Sequence, residues 1–189
     1  MSGLNLILKN MKILFVVFFI AVSALAAQSQ GIAKLKITDI EKYMNSKTGE
    51  VLVLNFWATF CKPCVAEIPG FIKTTHKYKD QKVKLMLVSV DLPSFYPKKI
   101  AAFAAKNNFN TNIAWLDETN ADYFCPMIDK SWSGSIPATI IVNSKAGYKK
   151  FFEEEITAAT FEEELKKALQ AVKLHQTHSI DPGGNAEPL

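Results

Sequence analysis

Two cysteines with two residues between them, Cys61 and Cys64, are the part of the sequence whose types and spacing could do chemistry. They follow the apolar segment 51–58, which predicts a strand buried on both faces, and they precede a predicted helix. A helix N-terminus carries partial positive charge, to which Lys62 adds, and Pro63 stiffens the loop. Because this environment stabilises a thiolate, we predict that Cys61 attacks a disulfide and that Cys64 resolves the mixed disulfide.

The alternatives to redox chemistry are a structural disulfide and half of a zinc site. A disulfide that closes so short a ring constrains little chain and therefore stabilises little. A structural zinc site usually has four Cys or His ligands. Cys125, His76, His175 and His178 show no ligand spacing. We therefore predict no metal site and interpret Cys125 as a buried thiol that behaves as a small hydrophobe.

The N-terminal segment 1–26 predicts a secretory signal peptide. Two lysines precede the apolar run Ile13–Val22, and Ala24 and Ala26 then form an A-x-A cleavage pattern. The alternative is a retained anchor, but the apolar run is shorter than the roughly 18–20 residues that span a bilayer. We therefore predict a periplasmic or otherwise extracytoplasmic protein that is not integral to the membrane once the leader is cleaved.

The composition argues against other classes of protein. The chain has 189 residues, 22 Lys+Arg against 18 Asp+Glu, and a net charge of +4. Every one of those cations is lysine, whereas recognition of phosphate and guanine favours arginine, so we predict no nucleic-acid partner. One close cysteine pair and a single further cysteine do not make a disulfide scaffold.

The elements that must position the cysteines alternate in the order β-α-β-α-β-α-β-β-α. This order predicts one α/β domain over residues 27–174, with a central mixed sheet and helices on both faces. Residues 175–189 lack periodicity and predict a disordered tail. Strands are predicted over 51–58, 83–90, 112–116, 138–143 and 148–156, and helices over 38–45, 64–79, 98–107 and 120–130 and from Thr160, with capping boxes at Thr38 and Thr160.

Several motifs together resemble the active site of the thioredoxin superfamily. Trp57 stands four residues before Cys61 in NFWATFCKPC, Pro69 stands eight residues after Cys61, and SIPAT at 135–139 precedes an apolar strand. The leader, the roughly 30 additional residues before that loop and Glu67 are similar to the TlpA/ResA-like branch. Members of that branch are extracytoplasmic thiol–disulfide oxidoreductases, several of which serve cytochrome c maturation.

This resemblance implies a thioredoxin-like fold and particular roles at the site. Pro137 would be cis and lie against the cysteines, and Ile136 would offer backbone groups to an extended substrate segment. Glu67 would exchange protons with Cys64, because Asn55 replaces the buried Asp of cytoplasmic thioredoxins. The predicted substrate-binding residues are Trp57, Lys62, Pro63, Trp132, Ser135 and Ile136, with core packing as the alternative for both tryptophans.

The predicted activity is the reduction of protein disulfides through the redox-active Cys61–Cys64 pair, without another cofactor. A membrane thiol–disulfide donor would supply the electrons. Three alternatives stay open: an oxidase that forms disulfides, a Cu(I)-binding chaperone of the same fold, and a peroxidase. A peroxidase of this fold would need an arginine near its cysteine, and the chain contains none.

Overall fold

A mixed sheet of six strands organises residues 31–178, the part of the chain that this computed structural model describes. The predicted signal peptide 1–26 and the end of the predicted tail, 179–189, lie outside the described residues. The strands are β1 (Ala33–Leu35), β2 (Val51–Trp57), β3 (Val83–Ser89), β4 (Asn112–Leu116), β5 (Ala138–Asn143) and β6 (Tyr148–Phe152). The helices are α1 (Ile37–Met44), α2 (Lys62–Lys77), α3 (Lys98–Lys106), α4 (Ala121–Ile128) and α5 (Ala158–His178).

The strand order places β2 in the middle of the sheet. The order is β1-β4-β3-β2-β5-β6; the first four strands are parallel, and β5 and β6 run antiparallel to their neighbours. Every residue of β2 is buried, as the continuous apolar run 51–58 predicts. The cysteine pair therefore follows the C-terminal end of a strand that is fixed from both sides.

Each face of the sheet carries its own hydrophobic core. Alternate residues of β2 point to opposite faces, so Val53 joins one core and Leu54 joins the other. The first core includes Phe71 of α2, Ile100 of α3 and Phe161 of α5. The second core includes residues of α1 and α4, such as Ile37, Ile40, Phe124 and Ile128. Helices therefore cover both faces, and the predicted α/β architecture is confirmed.

The structure corrects both predicted capping boxes. Helix α1 begins at Ile37, and the carboxylate of Asp39 accepts the backbone N–H of Lys36 at 3.0 Å, so Thr38 is not the cap. Helix α5 begins at Ala158, before Thr160. The hydroxyl of Thr157 accepts the backbone N–H of Thr160 at 3.1 Å and performs the capping. In both cases the S/T-x-x-E pattern falls within the first helical turn, one to three residues after the true start.

Other boundaries differ by a few residues. Helix α2 begins at Lys62 and contains Pro69, whereas the sequence predicts a start near Cys64. Strand β6 ends at Phe152 rather than at Ile156. Helix α5 continues to His178, so residues 175–178 of the predicted tail are helical. Strand β1 was not predicted, because three residues are too few to show alternation. Within residues 31–178, no helix is both long and apolar enough to cross a membrane.

Candidate active site

The two cysteines form a disulfide at the N-terminus of α2. Cys61 is the N-cap residue of this helix, and its sulfur accepts the backbone N–H of Cys64 at 3.3 Å. Cys61 is 7% exposed and Cys64 has no exposed surface, so both residues are buried and Cys61 is the more accessible of the two. Lys62 and Pro63 occupy the first turn, and both are exposed. A thiolate at Cys61 would therefore face the free N–H groups of the helix end.

The loop before β5 carries a cis peptide bond between Ile136 and Pro137, as the resemblance implies. Ala138 of β5 pairs with Phe56 of β2, and the antiparallel register brings Pro137 alongside Trp57. Ile136 is half-buried and packs against the core cluster that contains both cysteines. The sheet therefore brings together two motifs that lie more than seventy residues apart in the sequence.

Glu67 is buried in α2, one turn after Cys64. Its Oε1 accepts a hydrogen bond from Nδ2 of Asn55 at 2.8 Å, and its Oε2 accepts the backbone N–H of Ile156 at 3.0 Å. Burial raises the pKa of Glu67 to about 7, against the opposing effect of those two hydrogen bonds. The side chain therefore exists both as acid and as carboxylate near neutral pH, which suits it to proton exchange.

The amide of Asn55 connects Glu67 to the strand that follows the cis-proline. Asn55 and Thr139 are register partners on β2 and β5, and the amide nitrogen of Asn55 donates to the hydroxyl of Thr139 at 3.0 Å. Sequence reasoning gave no role to Thr139, the last residue of the SIPAT motif, or to Ile156, because both reach the site through contacts that the fold creates. The alternating register of β5 is the signal that could have found Thr139.

The two tryptophans predicted to bind substrate belong to the core. Trp57 has no exposed surface and packs edge-on against Phe109, with ring centroids 5.4 Å apart. Trp132 is 5% exposed and packs against Phe56 at 4.6 Å. Core packing, the alternative for both residues, describes their positions, and their burial does not support contact with a docked protein. The indole N–H of Trp132 instead donates to the carbonyl of Ser135 at 2.8 Å.

The exposed residues around the disulfide include two large apolar side chains that sequence reasoning missed. Phe60, immediately before Cys61, is 70% exposed, and Leu92, after β3, is 65% exposed. Phe60 follows Thr59 and Leu92 follows Asp91, and Thr59 and Asp91 are hydrogen-bonded to each other. Of the predicted substrate-binding residues, Lys62, Pro63 and Ser135 are exposed and Ile136 is half-buried.

The carboxylate of Asp91 fixes the loop that leads to Cys61. Asp91 is 4% exposed and accepts both the backbone N–H of Thr59 at 3.1 Å and its hydroxyl at 2.7 Å. It also accepts the hydroxyl of Ser89 at 2.8 Å. The C-terminal end of β3 thereby sets the position of the turn that follows β2.

Cys125 takes no part in the disulfide and lies next to Gly134, in the loop before Ile136. Cys125 is a buried free thiol, as predicted, and burial raises its pKa to about 11. Its thiol therefore stays protonated at neutral pH. Across residues 31–178, no group of three or more His, Cys, Asp or Glu side chains could hold a metal ion.

Comparison with known proteins agrees with this geometry. Residues 24–147, about two thirds of the chain, match the model of the AhpC/TSA family. The chain belongs to the AhpC/TSA family. The match extends from the end of the predicted leader to the turn between β5 and β6, so it includes the cysteine pair and the cis-proline loop.

Individual similar proteins describe the relationship more specifically than the family model does. The thiol–disulfide oxidoreductase ResA of Geobacillus thermodenitrificans is 26% identical over 133 residues, which cover 70% of this chain and 69% of ResA. The thioredoxin-like protein YneN of Bacillus subtilis is 32% identical over 121 residues, 62% of this chain and 64% of YneN. The crystal structure of a thioredoxin-related protein from Neisseria meningitidis serogroup B has a TM-score of 0.53 and 25% identity, covering 70% of this chain and 89% of that one. The predicted thioredoxin-like fold and ResA-like resemblance are confirmed.

Proposed function

We propose that this AhpC/TSA-family protein is an extracytoplasmic thiol–disulfide oxidoreductase that reduces disulfides in other proteins. The observation that carries the proposal is the Cys61–Cys64 disulfide at a helix N-terminus, in which Cys61 keeps a small exposed surface and Cys64 has none. The relatives named thiol–disulfide oxidoreductase ResA support it.

In the proposed reaction the reduced protein begins with two thiols. The Cys61 thiolate attacks one sulfur of a substrate disulfide, forms a mixed disulfide and releases the other substrate sulfur, which takes up a proton. The Cys64 thiolate then attacks Cys61, releases the second substrate thiol and closes the Cys61–Cys64 bond. Two electrons have passed to the substrate, and the protein has the oxidised form seen in the structure.

Glu67 would provide the proton exchange that the second step requires. Cys64 must lose its proton before it attacks, and its burial keeps bulk water away. Glu67 lies on the same helix face one turn later and accepts protons near neutral pH. We assign it the role of proton acceptor for Cys64 and, in the reverse direction, proton donor.

Substrate recognition would use the exposed surface beside Cys61. Ile136 precedes the cis-proline, and no hydrogen bond within residues 31–178 engages its backbone N–H or C=O. These groups are therefore free to pair with an extended substrate segment. Ser135, Lys62 and Pro63 border the same surface, and Phe60 adds an apolar contact.

The cellular setting belongs to the same proposal. A cleaved leader at 1–26 would deliver the protein to the periplasm, and a membrane thiol–disulfide donor would reduce Cys61–Cys64 after each turnover. The protein needs no cofactor other than this disulfide. A role in cytochrome c maturation is compatible with such a reductase and is part of the hypothesis.

Trapping of the mixed disulfide tests the assigned roles of the cysteines. Reduced Cys64→Ser retains the attacking sulfur and lacks the resolving one, so we expect a stable covalent adduct with a disulfide-bonded protein such as insulin. Non-reducing electrophoresis or mass spectrometry detects the adduct. Cys61→Ser should form none, and Cys125→Ser, the matched control, should turn over like the wild type. Adducts from Cys61→Ser would contradict the assignment.

The equilibrium reduction potential decides the direction of the reaction. A value near about −270 mV would support a reductant, and a value near about −120 mV would identify an oxidase and overturn the proposal. Titration of the reduced protein with Cu(I) under anaerobic conditions distinguishes a reductase or an oxidase from a copper chaperone. Tight stoichiometric binding without reversible two-electron redox behaviour would favour the chaperone.

A further inference from the structure

The loop between α4 and β5, residues 129–137, presents the proposed substrate-binding backbone, and side chains of β6 and its extension hold it in place. At the start of the loop, Lys149 pairs with the carboxylate of Asp129 at 2.9 Å. At its end, Glu153 approaches the residues just before Ile136. The loop contains no helix or strand of its own, so side-chain contacts hold it: these two, and the buried ring of Trp132, whose indole N–H donates to the carbonyl of Ser135.

Glu153 makes more hydrogen bonds to the loop than Lys149 does. One carboxylate accepts the backbone N–H of Ser133 at 2.9 Å and the backbone N–H of Ser135 at 2.9 Å, and it also accepts the hydroxyl of Ser133. Gly134, between the serines, has φ +98, a conformation that turns both flanking N–H groups toward one point. A carboxylate fits this arrangement because its two oxygens accept several hydrogen bonds at once.

The segment that carries Glu153 also reaches the other side of the site. Three residues later, the backbone N–H of Ile156 donates to Glu67. The preceding residue, Phe152, pairs with Thr139 of β5. Glu153 thus extends from a segment that is fixed at both ends, by the sheet and by the buried carboxylate beneath the cysteines. A rigid support of this kind can fix the position of the loop relative to the sheet.

We propose that Glu153 is a positioning residue for substrate binding: its carboxylate fixes Ser133–Ser135 so that the Ile136 backbone is aligned with an incoming protein segment. This inference rests on the proposed function and extends it to a residue outside the cysteine and proline motifs. It separates two tasks within the site. Glu153 positions the backbone that binds a polypeptide, whereas the N-terminus of α2 and Glu67 control the charge and protonation of the two thiols.

The hydrogen bonds of Glu153 also explain its charge state. The hydroxyl of Ser133 holds the pKa of Glu153 below its ordinary value, and the loop N–H groups act in the same direction. The residue is therefore ionised across the working range of pH. Charge-assisted hydrogen bonds are about twice as strong as neutral ones, so a neutral amide is a poor substitute.

Steady-state kinetics of Glu153→Gln in the full-length protein test the proposal. Insulin disulfides serve as the polypeptide substrate, with dithiothreitol as reductant. Dithiobis(nitrobenzoate), a small disulfide that needs no backbone pairing, is mixed with the pre-reduced protein in a single turnover, without the dithiothreitol that would reduce it directly. For insulin we expect KM to rise about 5- to 10-fold with kcat within twofold. The rate with the small disulfide and the reduction potential should stay at wild-type values. The matched control is Glu154→Gln, because Glu154 is exposed, and it should behave as wild type.

Two further results make the test decisive. Ser133→Ala removes one donor and keeps the carboxylate, so it should raise KM about 2-fold and add nothing when combined with Glu153→Gln. This variant carries the test if Glu153→Gln fails to fold. An unchanged KM in folded Glu153→Gln, or a shifted potential, would overturn the proposal. If the wild type reduces neither substrate, the proposed function itself fails, and the inference falls with it.

Discussion

At the scale of single residues, Glu67 is a buried carboxyl group whose hydrogen-bond donors carry no positive charge. Its two hydrogen bonds come from Asn55 and from the backbone of Ile156, and neither donor carries a positive charge. Desolvation therefore dominates, and the pKa rises to about 7. The fold thus favours the protonated acid and tolerates the carboxylate at a cost.

That cost predicts a pH-dependent difference between the wild type and Glu67→Gln. The folded pKa exceeds the unfolded value, so the contribution to stability is complete below about pH 4.5 and is lost as the pH rises through about 7. Relative to Glu67→Gln, we expect the wild type to lose about 3 kcal/mol of unfolding free energy over that range. Urea unfolding of both oxidised proteins measures it, since the disulfide cysteines do not titrate. Glu154→Gln should show no such trend, and a constant difference for Glu67→Gln would contradict the raised pKa.

The residues of the site divide by how they could be predicted. Cys61, Cys64 and Glu67 follow one another along the same helix. Local spacing was enough to select the two cysteines, and the resemblance to the TlpA/ResA-like branch selected Glu67. Asp91, Thr139, Glu153 and Ile156 act through contacts made across the sheet, which no short pattern in the sequence records. Tryptophan type suggested surface binding at Trp57 and Trp132, whereas burial shows that both are core residues.

At the scale of elements, two carboxylates at strand ends hold the two loops of the site. Asp91 follows β3 and fixes the turn before Cys61, and Glu153 follows β6 and fixes the loop before Ile136. Both accept backbone N–H groups, so they constrain the main chain itself. The cysteine pair and the cis-proline loop are therefore each anchored to a neighbouring strand.

The anchor at Asp91 can be measured directly. Asp91→Asn keeps the volume but turns an acceptor into a donor, leaving buried groups of Thr59 or Ser89 unsatisfied. We expect a loss of about 2–3 kcal/mol in unfolding free energy. Thr59→Val removes the hydroxyl bond alone and should cost about 1 kcal/mol. Asp80→Asn, at an exposed site, is the control, and equal effects from Asp80→Asn and Asp91→Asn would refute the anchoring role.

Elements were predicted well where the hydrophobic pattern was long. Strands β2, β3, β4 and β5 match their predicted segments because strands that are buried on both faces appear as largely continuous apolar runs. Helix starts were less accurate, since Thr157 and Lys36 cap their helices and the matching S/T-x-x-E patterns lie one turn inside. A cap is defined by backbone geometry, which a four-residue pattern does not determine.

At the scale of the whole molecule, the two cores share the central strands. Ile141 of β5 lies in the core under α2 and α5, and its neighbour Ile140 lies in the core under α1 and α4. Both side chains are fully buried. Loss of packing in one core would also destabilise the other, because the same strands carry the side chains of both cores.

This arrangement predicts a single cooperative unfolding transition. Ile140→Ala and Ile141→Ala should each cost about 2–5 kcal/mol and leave the dependence on urea concentration unchanged. Far-UV circular dichroism and tryptophan fluorescence should give the same midpoint for each variant, because Trp115 and Trp132 report on different cores. Two separate midpoints in either variant would show that the faces unfold independently.

Strand β1 gives the sheet a particular order of assembly. Its three residues pair with β4, roughly eighty residues later in the chain, whereas β5 and β6 are joined by a short turn. Closing the longer loop costs more entropy and gains few hydrogen bonds, so β1 should dock after the inner strands have formed. Until then the outer edge of β4 is unpaired, and an unpaired edge can recruit a strand from another chain. We therefore expect the first strand of the described chain to be the last to join the sheet, and the edge of β4 to stay open to another chain until it does.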